Sequence, residues 1–130
     1  VSQDYKAAIK WYRLAAEKGD PYAQSNLGLI YQQGLVVPHD YQTAVKWLTL
    51  SAAQGHASAQ SNLGTLYAKG YGVLQDDARA LMWYKISASS GKSVNASKNG
   101  DLLAKIMTSS QIKKAQGLVQ ECVRKKFKEC

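Results

Sequence analysis

Cysteine, histidine, proline and phenylalanine are nearly missing from this chain, and each scarcity closes off a class of function. Of 130 residues, two are Cys, two His, two Pro and one Phe. Cys122 and Cys130 fall within the last nine residues, far from His39 and His56, so no set of zinc ligands can be assembled. His39 lies beside Pro38 in a loop and His56 follows Gly55 in a turn. Both are expected to be solvent-exposed, and neither comes with the partners that a general base or an activated nucleophile needs. The adjacent acids Asp76 and Asp77 do not converge on one site, because neighbours on a helix point apart. No nucleotide-binding glycine motif occurs, since the glycines return at fixed intervals and end helices. The expectation is a protein with no catalytic residues, no cofactor and no metal. No apolar run approaches the ~20 residues of a membrane span. An initiator Met and a leader segment are also lacking. Val1 stands at a repeat position, which leads us to expect a fragment or processed product whose targeting segment was lost upstream.

What the chain has instead is a period of 36 residues. Val1, Val37 and Val73 are in phase, as are Asp4, Asp40 and Asp76; Ala8, Ala44 and Ala80; Trp11, Trp47 and Trp83; and Gly19, Gly55 and Gly91. The stretch from Ala23 to Gly28 returns unchanged as Ala59 to Gly64, and Tyr31 and Gly34 return as Tyr67 and Gly70. Such a period marks a solenoid, whose units bury their apolar faces only by stacking on neighbours. It favours binding over chemistry.

Within a unit, two helices are expected. The first runs over Asp4–Lys18, with Asp4 as cap, Ala8, Trp11 and Ala15 as its apolar stripe, and Gly19 as its end. The second runs over Pro21–Gln33, with Asp20 as cap, Pro21 at the permitted first position and Gly34 as its end. Later copies give Asp40–Gln54 with Ala57–Lys69, and Asp76–Ser90 with a helix from about Ser93. The tryptophans are expected to form an internal ladder. Gly28 and Gly64 cost about 1 kcal/mol of helix propensity relative to Ala, which close helix–helix approach explains. The third unit loses the signature: Tyr31 and Tyr67 become Leu103, and Gly34 and Gly70 become Ile106. Terminal units of a solenoid are atypical for want of a neighbour. Thr108 and Gln111 then form a capping-box pattern that opens a last helix over Ser109–Lys126, with Ile112, Ala115, Val119 and Cys122 or Val123 facing inward. Three units are thus expected at 1–36, 37–72 and 73–108, followed by a capping helix and basic tail at 109–130.

These residues resemble the Sel-1-like repeat family, a relative of the tetratricopeptide repeats. The match runs through Asp-Tyr-x-x-Ala-x-x-Trp, Ala-Ala-x-x-Gly and Ala-Gln-x-Asn-Leu-Gly-x-x-Tyr-x-x-Gly, and through the loop Gly70-Tyr71-Gly72-Val73. The resemblance implies an all-α, right-handed superhelix of antiparallel helix pairs, closed by a C-terminal capping helix. It implies a non-catalytic adaptor or scaffold with a protein or peptide partner. By comparison with tetratricopeptide repeats, the helix bearing Leu27-Gly28 lines the concave face. That face would present Tyr22, Ser25, Asn26, Leu29, Gln32 and Gln33 from the first unit. Ser58, Ser61, Asn62, Thr65 and Lys69 would follow from the second, and Ser97, Asp101 and Lys105 from the third. Asn26 and Asn62 either grip a partner's backbone or carboxylate, or hydrogen-bond a neighbouring loop.

Charge is uneven along the chain. Of the net +8, residues 1–91 carry eight Lys/Arg against six Asp/Glu, and residues 92–130 carry nine against three. The cluster Arg124-Lys125-Lys126-Phe127-Lys128 reads either as cations suited to a helix C-terminus or as a contact for an anionic partner. Nucleic acid binding is not favoured, because Phe127 is the lone aromatic among those cations. Self-association, or a purely structural segment of a longer repeat protein, is the other alternative. Cys122 and Cys130 are a candidate disulfide. On one continuous helix they would lie about 12 Å apart, so a bridge requires the helix to stop near residue 125 and the tail to fold back. A bridge would point to an oxidising compartment. Together with the family's frequent use in bacterial envelopes, that leans toward the periplasm or secretion, with the cytoplasm as alternative.

Overall fold

In the computed structural model, residues 2–34 and 37–130 are described, with the side chains of residues 2–4 left out. Val1 and the side chain of Asp4 therefore lie outside the described residues. Seven α-helices follow one another: α1 (Ser2–Glu17), α2 (Pro21–Gln33), α3 (Tyr41–Ala52), α4 (Ala57–Lys69), α5 (Asp77–Ser89), α6 (Val94–Ile106) and α7 (Ser109–Arg124). α1 begins ahead of Asp4, which lies inside it. The other caps are made by the expected side chains. Asp20 accepts from the Tyr22 N–H, Asp40 from Thr43 and Asp76 from Arg79, and Thr108 and Gln111 complete the capping box. α2 ends at Gly34, whose φ of 66° is left-handed, and a Cβ there would meet the His39 Cβ at 2.7 Å.

Consecutive helices pack as pairs, and the tightest contacts are α2 on α3 and α4 on α5. Both depend on a missing side chain. A Cβ on Gly28 would sit 2.8 Å from Leu48 Cγ and 3.2 Å from the Ala44 carbonyl oxygen. A Cβ on Gly64 would sit 3.0 Å from the Tyr84 ring and 3.1 Å from the Ala80 carbonyl. At that spacing the helices exchange polar contacts that repeat with the sequence. Ser51 Oγ donates to the Pro21 carbonyl at 2.7 Å, and Ser87 Oγ donates to the Ala57 carbonyl at 2.6 Å. Gln24 and Gln60 are buried, and their side-chain amides donate to the Ala16 and Ala52 carbonyls, each at 3.1 Å. These bonds satisfy backbone oxygens near helix ends that would otherwise be stranded in the core.

The tryptophans do not form the uniform internal ladder that was expected. Trp83 is 2% exposed, Trp47 is half-buried and Trp11 is 70% exposed. Trp83 joins the cluster built on Leu48, Ala59 and Leu63, and Trp47 packs against the cluster of Ile9, Ala16, Ala23 and Leu27. Each thus rests on the helix pair before it. Trp11 has no earlier pair among the described residues to rest on.

The third unit also departs from the array. The links from α2 to α3 and from α4 to α5 occupy residues 34–40 and 70–76, but α6 passes to α7 through Met107 and Thr108 alone. That link is five residues shorter than the other two. α7 packs on α5 instead, with Ala115 in the cluster of Ala78, Leu81, Leu103 and Met107. Val123 is exposed, so Cys122 is the residue that completes the inward stripe. The helix stops at Arg124, and the tail turns back through left-handed residues at Lys126, Phe127 and Glu129. That return bridges Cys130 to Cys122 with Cα atoms 5.4 Å apart, and it sets the Phe127 ring against Gly55.

Two pairs of measurements check this account. Gly28→Ala should lower the unfolding free energy by about 1–3 kcal/mol despite its better helix propensity, because the buried Leu48 branch carbon cannot swing aside. Gly117→Ala on α7, where nothing lies within 4 Å of the added Cβ, should raise it by up to about 1 kcal/mol. Urea titration of both variants tests the contrast, and a stabilised Gly28→Ala would remove the close-approach argument. Thiol titration of the unreduced protein should find no free thiol. Reduction should cost up to about 3 kcal/mol, the loop-closure value for so short a ring.

Candidate binding grooves

Of the residues expected to bind a partner, all but Ser25, Gln32, Lys69 and Lys105 fall into four grooves between helices. The largest, about 560 Å³, lies between α4 and α6. Ser58, Ser61, Asn62 and Thr65 form one wall, and Ser93, Asn95 and Asn99 face them, with Lys92 as the charged group. Nearly every lining group there can donate or accept a hydrogen bond, which suits a polypeptide backbone. Thr65 is already engaged, with its hydroxyl 2.8 Å from the Tyr84 hydroxyl and 3.3 Å from the Ser61 carbonyl it donates to. Burial pushes the Tyr84 phenol above its ordinary range, and the Thr65 bond partly offsets this.

A more apolar groove of about 280 Å³ runs between α1 and α2, where Asn26, Leu29 and Gln33 meet Tyr5, Ile9 and Tyr12. Tyr22 and Ser58 share a third, of about 300 Å³, with Gln54, His56 and Lys92. Ser97 and Asp101 belong to a fourth, of about 390 Å³, against Leu81, Tyr84 and Gly100. Gln32, Lys69 and Lys105 lie outside all four. Ser25 is only 3% exposed, so it supports the packing and presents no contact surface. The grooves also draw on residues the sequence reading passed over, chiefly Lys92, Ser93, Asn95 and Asn99. A signal for them existed: Asn95 and Asn99 are two and one helical turns before Leu103, the counterpart of Tyr31 and Tyr67.

His56 is not the free loop residue that was expected. It is half-buried, with its ring edge-on to Tyr22 at 4.8 Å between centroids. Burial lowers its pKa below the ordinary 6.5, nearby Lys92 adds to the effect, and Asp20 opposes it. His39 is exposed, 4.0 Å from the Tyr41 ring. At the tail, Glu121 pairs with Arg124 and lies 3.9 Å from Lys125 Nζ, so part of the basic cluster is engaged within its own helix. The Arg124 hydrogen bond holds the Glu121 carboxyl below its usual range. Among the described residues there is no group of three or more His, Cys, Asp and Glu placed to hold a metal ion, and no helix long and apolar enough to cross a membrane.

The Sel1 repeat profile matches residues 1–20, 21–56 and 57–92. The chain belongs to the Sel1 repeat family. The profile starts each Sel1 unit at the helix after the turn, so α2 with α3 and α4 with α5 are its complete pairs, the same pairs that pack most tightly. Among solved structures, the chain is similar to a protective antigen of uropathogenic Escherichia coli strains that displays an SLR fold, at 33% identity and a TM-score of 0.93. That match covers 99% of this chain and 28% of the antigen. A Sel1 repeat protein from Oxalobacter formigenes matches at 35% identity and a TM-score of 0.70, over 91% of this chain and 50% of that one. The chain thus spans half or less of the length of these two structures. A comparison with curated proteins returns no match. The all-α solenoid expected from the sequence is therefore the fold, and Sel1 repeats typically mediate protein interactions without catalysis.

A pH experiment tests the setting of His56. Its folded pKa lies below the unfolded value, so folding favours the neutral ring. The stability this contributes is complete above pH 6.5 and declines as pH falls through 6.5 toward the folded pKa. The unfolding midpoint should drop over that window, and His56→Gln should flatten this part of the decline. An NMR titration should put the His56 midpoint below 6.5, and a midpoint at or above it would contradict the burial described.

Proposed function

We propose that this Sel1 repeat chain is a non-catalytic adaptor that holds a protein or peptide partner on the surface presented by α2, α4 and α6. The observation that carries the reading is the polar groove between α4 and α6. Ser58, Ser61, Asn62 and Thr65, each nominated by its place in the repeat, line one wall of it, with Asn95 and Asn99 opposite. Hydroxyl and carboxamide groups bond the backbone of an extended peptide without demanding a particular sequence, and Lys92 adds attraction for an acidic residue or a C-terminal carboxylate. The apolar groove at Leu29 and the exposed ring of Tyr22 would add side-chain pockets along the same line. Affinity on such a surface accumulates from several modest contacts. In this reading Asn26 and Asn62 grip the partner.

A second reading has its own support. Trp11 and Leu14 are exposed together on one face of α1, which favours a structural role in which this face docks on another repeat or on a second copy. The basic tail meeting an anionic partner has less in its favour, since Arg124 is paired with Glu121.

Crosslinking capture from the native host separates these readings. The bait would be this chain beside a variant combining Tyr22→Ala, Leu29→Asp and Thr65→Arg. A partner held by the parent and lost by the still-folded variant is expected. An unchanged set of partners moves binding to α1 or the tail, and steep salt dependence would then single out the tail. No partner at all favours the structural role.

A further inference from the structure

The groove between α5 and α6 is the same slot that the molecule fills with a helix twice elsewhere, and here it stands open. In the two complete units, the glycine of the inner helix receives the next outer helix: Gly28 takes Leu48 of α3, and Gly64 takes Tyr84 of α5. Gly100 is their in-phase counterpart, and its only close neighbours are Tyr84 and Leu81 of the preceding helix. The helix that would follow, α7, packs on α5 instead. The result is an opening of about 390 Å³ floored by Ala96, Gly100 and Ala104. Solvent exposure records the same asymmetry. Ser25 and Ser61 are buried, at 3% and 8% exposed, while their counterpart Ser97 is exposed.

From this geometry we propose that the α5–α6 groove is a docking site for an amphipathic α-helix carrying the pattern Ala-x-x-x-Leu/Tyr-x-x-Ser. The occupant's chemistry is read from the two helices that fill equivalent slots in this molecule. α3 presents Ala44, Leu48 and Ser51, and α5 presents Ala80, Tyr84 and Ser87, all buried. Each residue has a defined part. The Ala lets its backbone carbonyl approach the glycine, 3.2 Å from the would-be Cβ in one case and 3.1 Å in the other. The Leu or Tyr fills the space above the glycine. The Ser donates to the carbonyl of the first residue of the inner helix, as Ser51 does to Pro21 and Ser87 to Ala57. At the open slot the position in phase with Pro21 and Ala57 is Ser93, and in this proposal its carbonyl takes the guest's hydroxyl. Exposed Lys85 and Asp101 stand on opposite helices at the rim and would select for charge of both signs on the guest's flanks. This is helix-in-groove recognition on a surface separate from the α4–α6 groove.

The probe is a hydrocarbon-stapled peptide with the sequence of residues 40–54, since stapling removes the ordering cost of a short free helix. Added to the full isotope-labelled chain, it should bind saturably and shift the amides of Ser97, Gly100 and Asp101. Replacing the peptide's Leu48 with Asp should weaken binding roughly tenfold or more. Gly100→Leu should abolish binding by filling the slot. Ser97→Trp, at an exposed position where folding is not at stake, should do the same by roofing it. Three outcomes would overturn the proposal: no saturation up to about 1 mM peptide, shifts confined to another face, or binding indifferent to Ser97→Trp. Light scattering of the protein alone supplies a fourth. If mass rises with concentration and Ser97→Trp abolishes the rise, the groove belongs to a second copy of this chain.

Discussion

Two helices can approach until their backbones touch only where one of them has no side chain, and this molecule is organised around that contact. At Gly28 and again at Gly64, a carbonyl of the next helix comes within 3.2 Å of the place a Cβ would occupy. The rest follows from that spacing. Ser51 and Ser87 reach the carbonyls of Pro21 and Ala57 only because the helices are so close. Leu48 and Tyr84 are buried because the glycine leaves room for them. The loss of helix propensity, about 1 kcal/mol per glycine, is offset by burying a large apolar side chain at each crossing.

Contacts of this kind are not made equally along the described helices. On α1, Trp11 lies in solvent, where Trp83 is enclosed by the helix pair before it. After α6 the link shortens to two residues and α7 packs on α5. The disulfide then ties the tail to α7, and the Phe127 ring rests against the turn before α4. The C-terminal helix therefore covers the outer flank of the last complete pair and leaves the glycine slot of α6 uncovered. Capping one flank and leaving the slot open both follow from where α7 packs.

The placement of α7 also bears on how the proposed partners would be held. The α4–α6 groove offers hydroxyl and carboxamide groups to an extended chain, while the α5–α6 groove offers small residues to a helix. The two would draw on different partners, or on different segments of one partner, through physically distinct contacts.

The 36-residue period by itself determined the helix count through the second unit, the caps at Asp20, Asp40 and Asp76, the terminating glycines and the family, because each rests on local chemistry: a carboxylate beside free N–H groups, or a left-handed turn that glycine tolerates. The α4 wall of the α4–α6 groove was legible too, since Ser58, Ser61, Asn62 and Thr65 recur at fixed offsets, but the α6 wall of Asn95 and Asn99 was not, because the same offsets there name Ser97, Asp101 and Lys105. What only the tertiary structure decided is whatever depends on a neighbour. The period assigns the three tryptophans one role, but burial is set by what packs on them, and only Trp83 is enclosed. It assigns Ser25 to a binding surface, yet packing buries it. It places His56 in a free turn, though Tyr22 and the protein interior hold its ring and lower its pKa. Nor does it reveal that α7 leaves the array, because that turns on which surface receives the stripe carrying Ala115 and Cys122, and the surface exists only once α5 and its neighbours are packed.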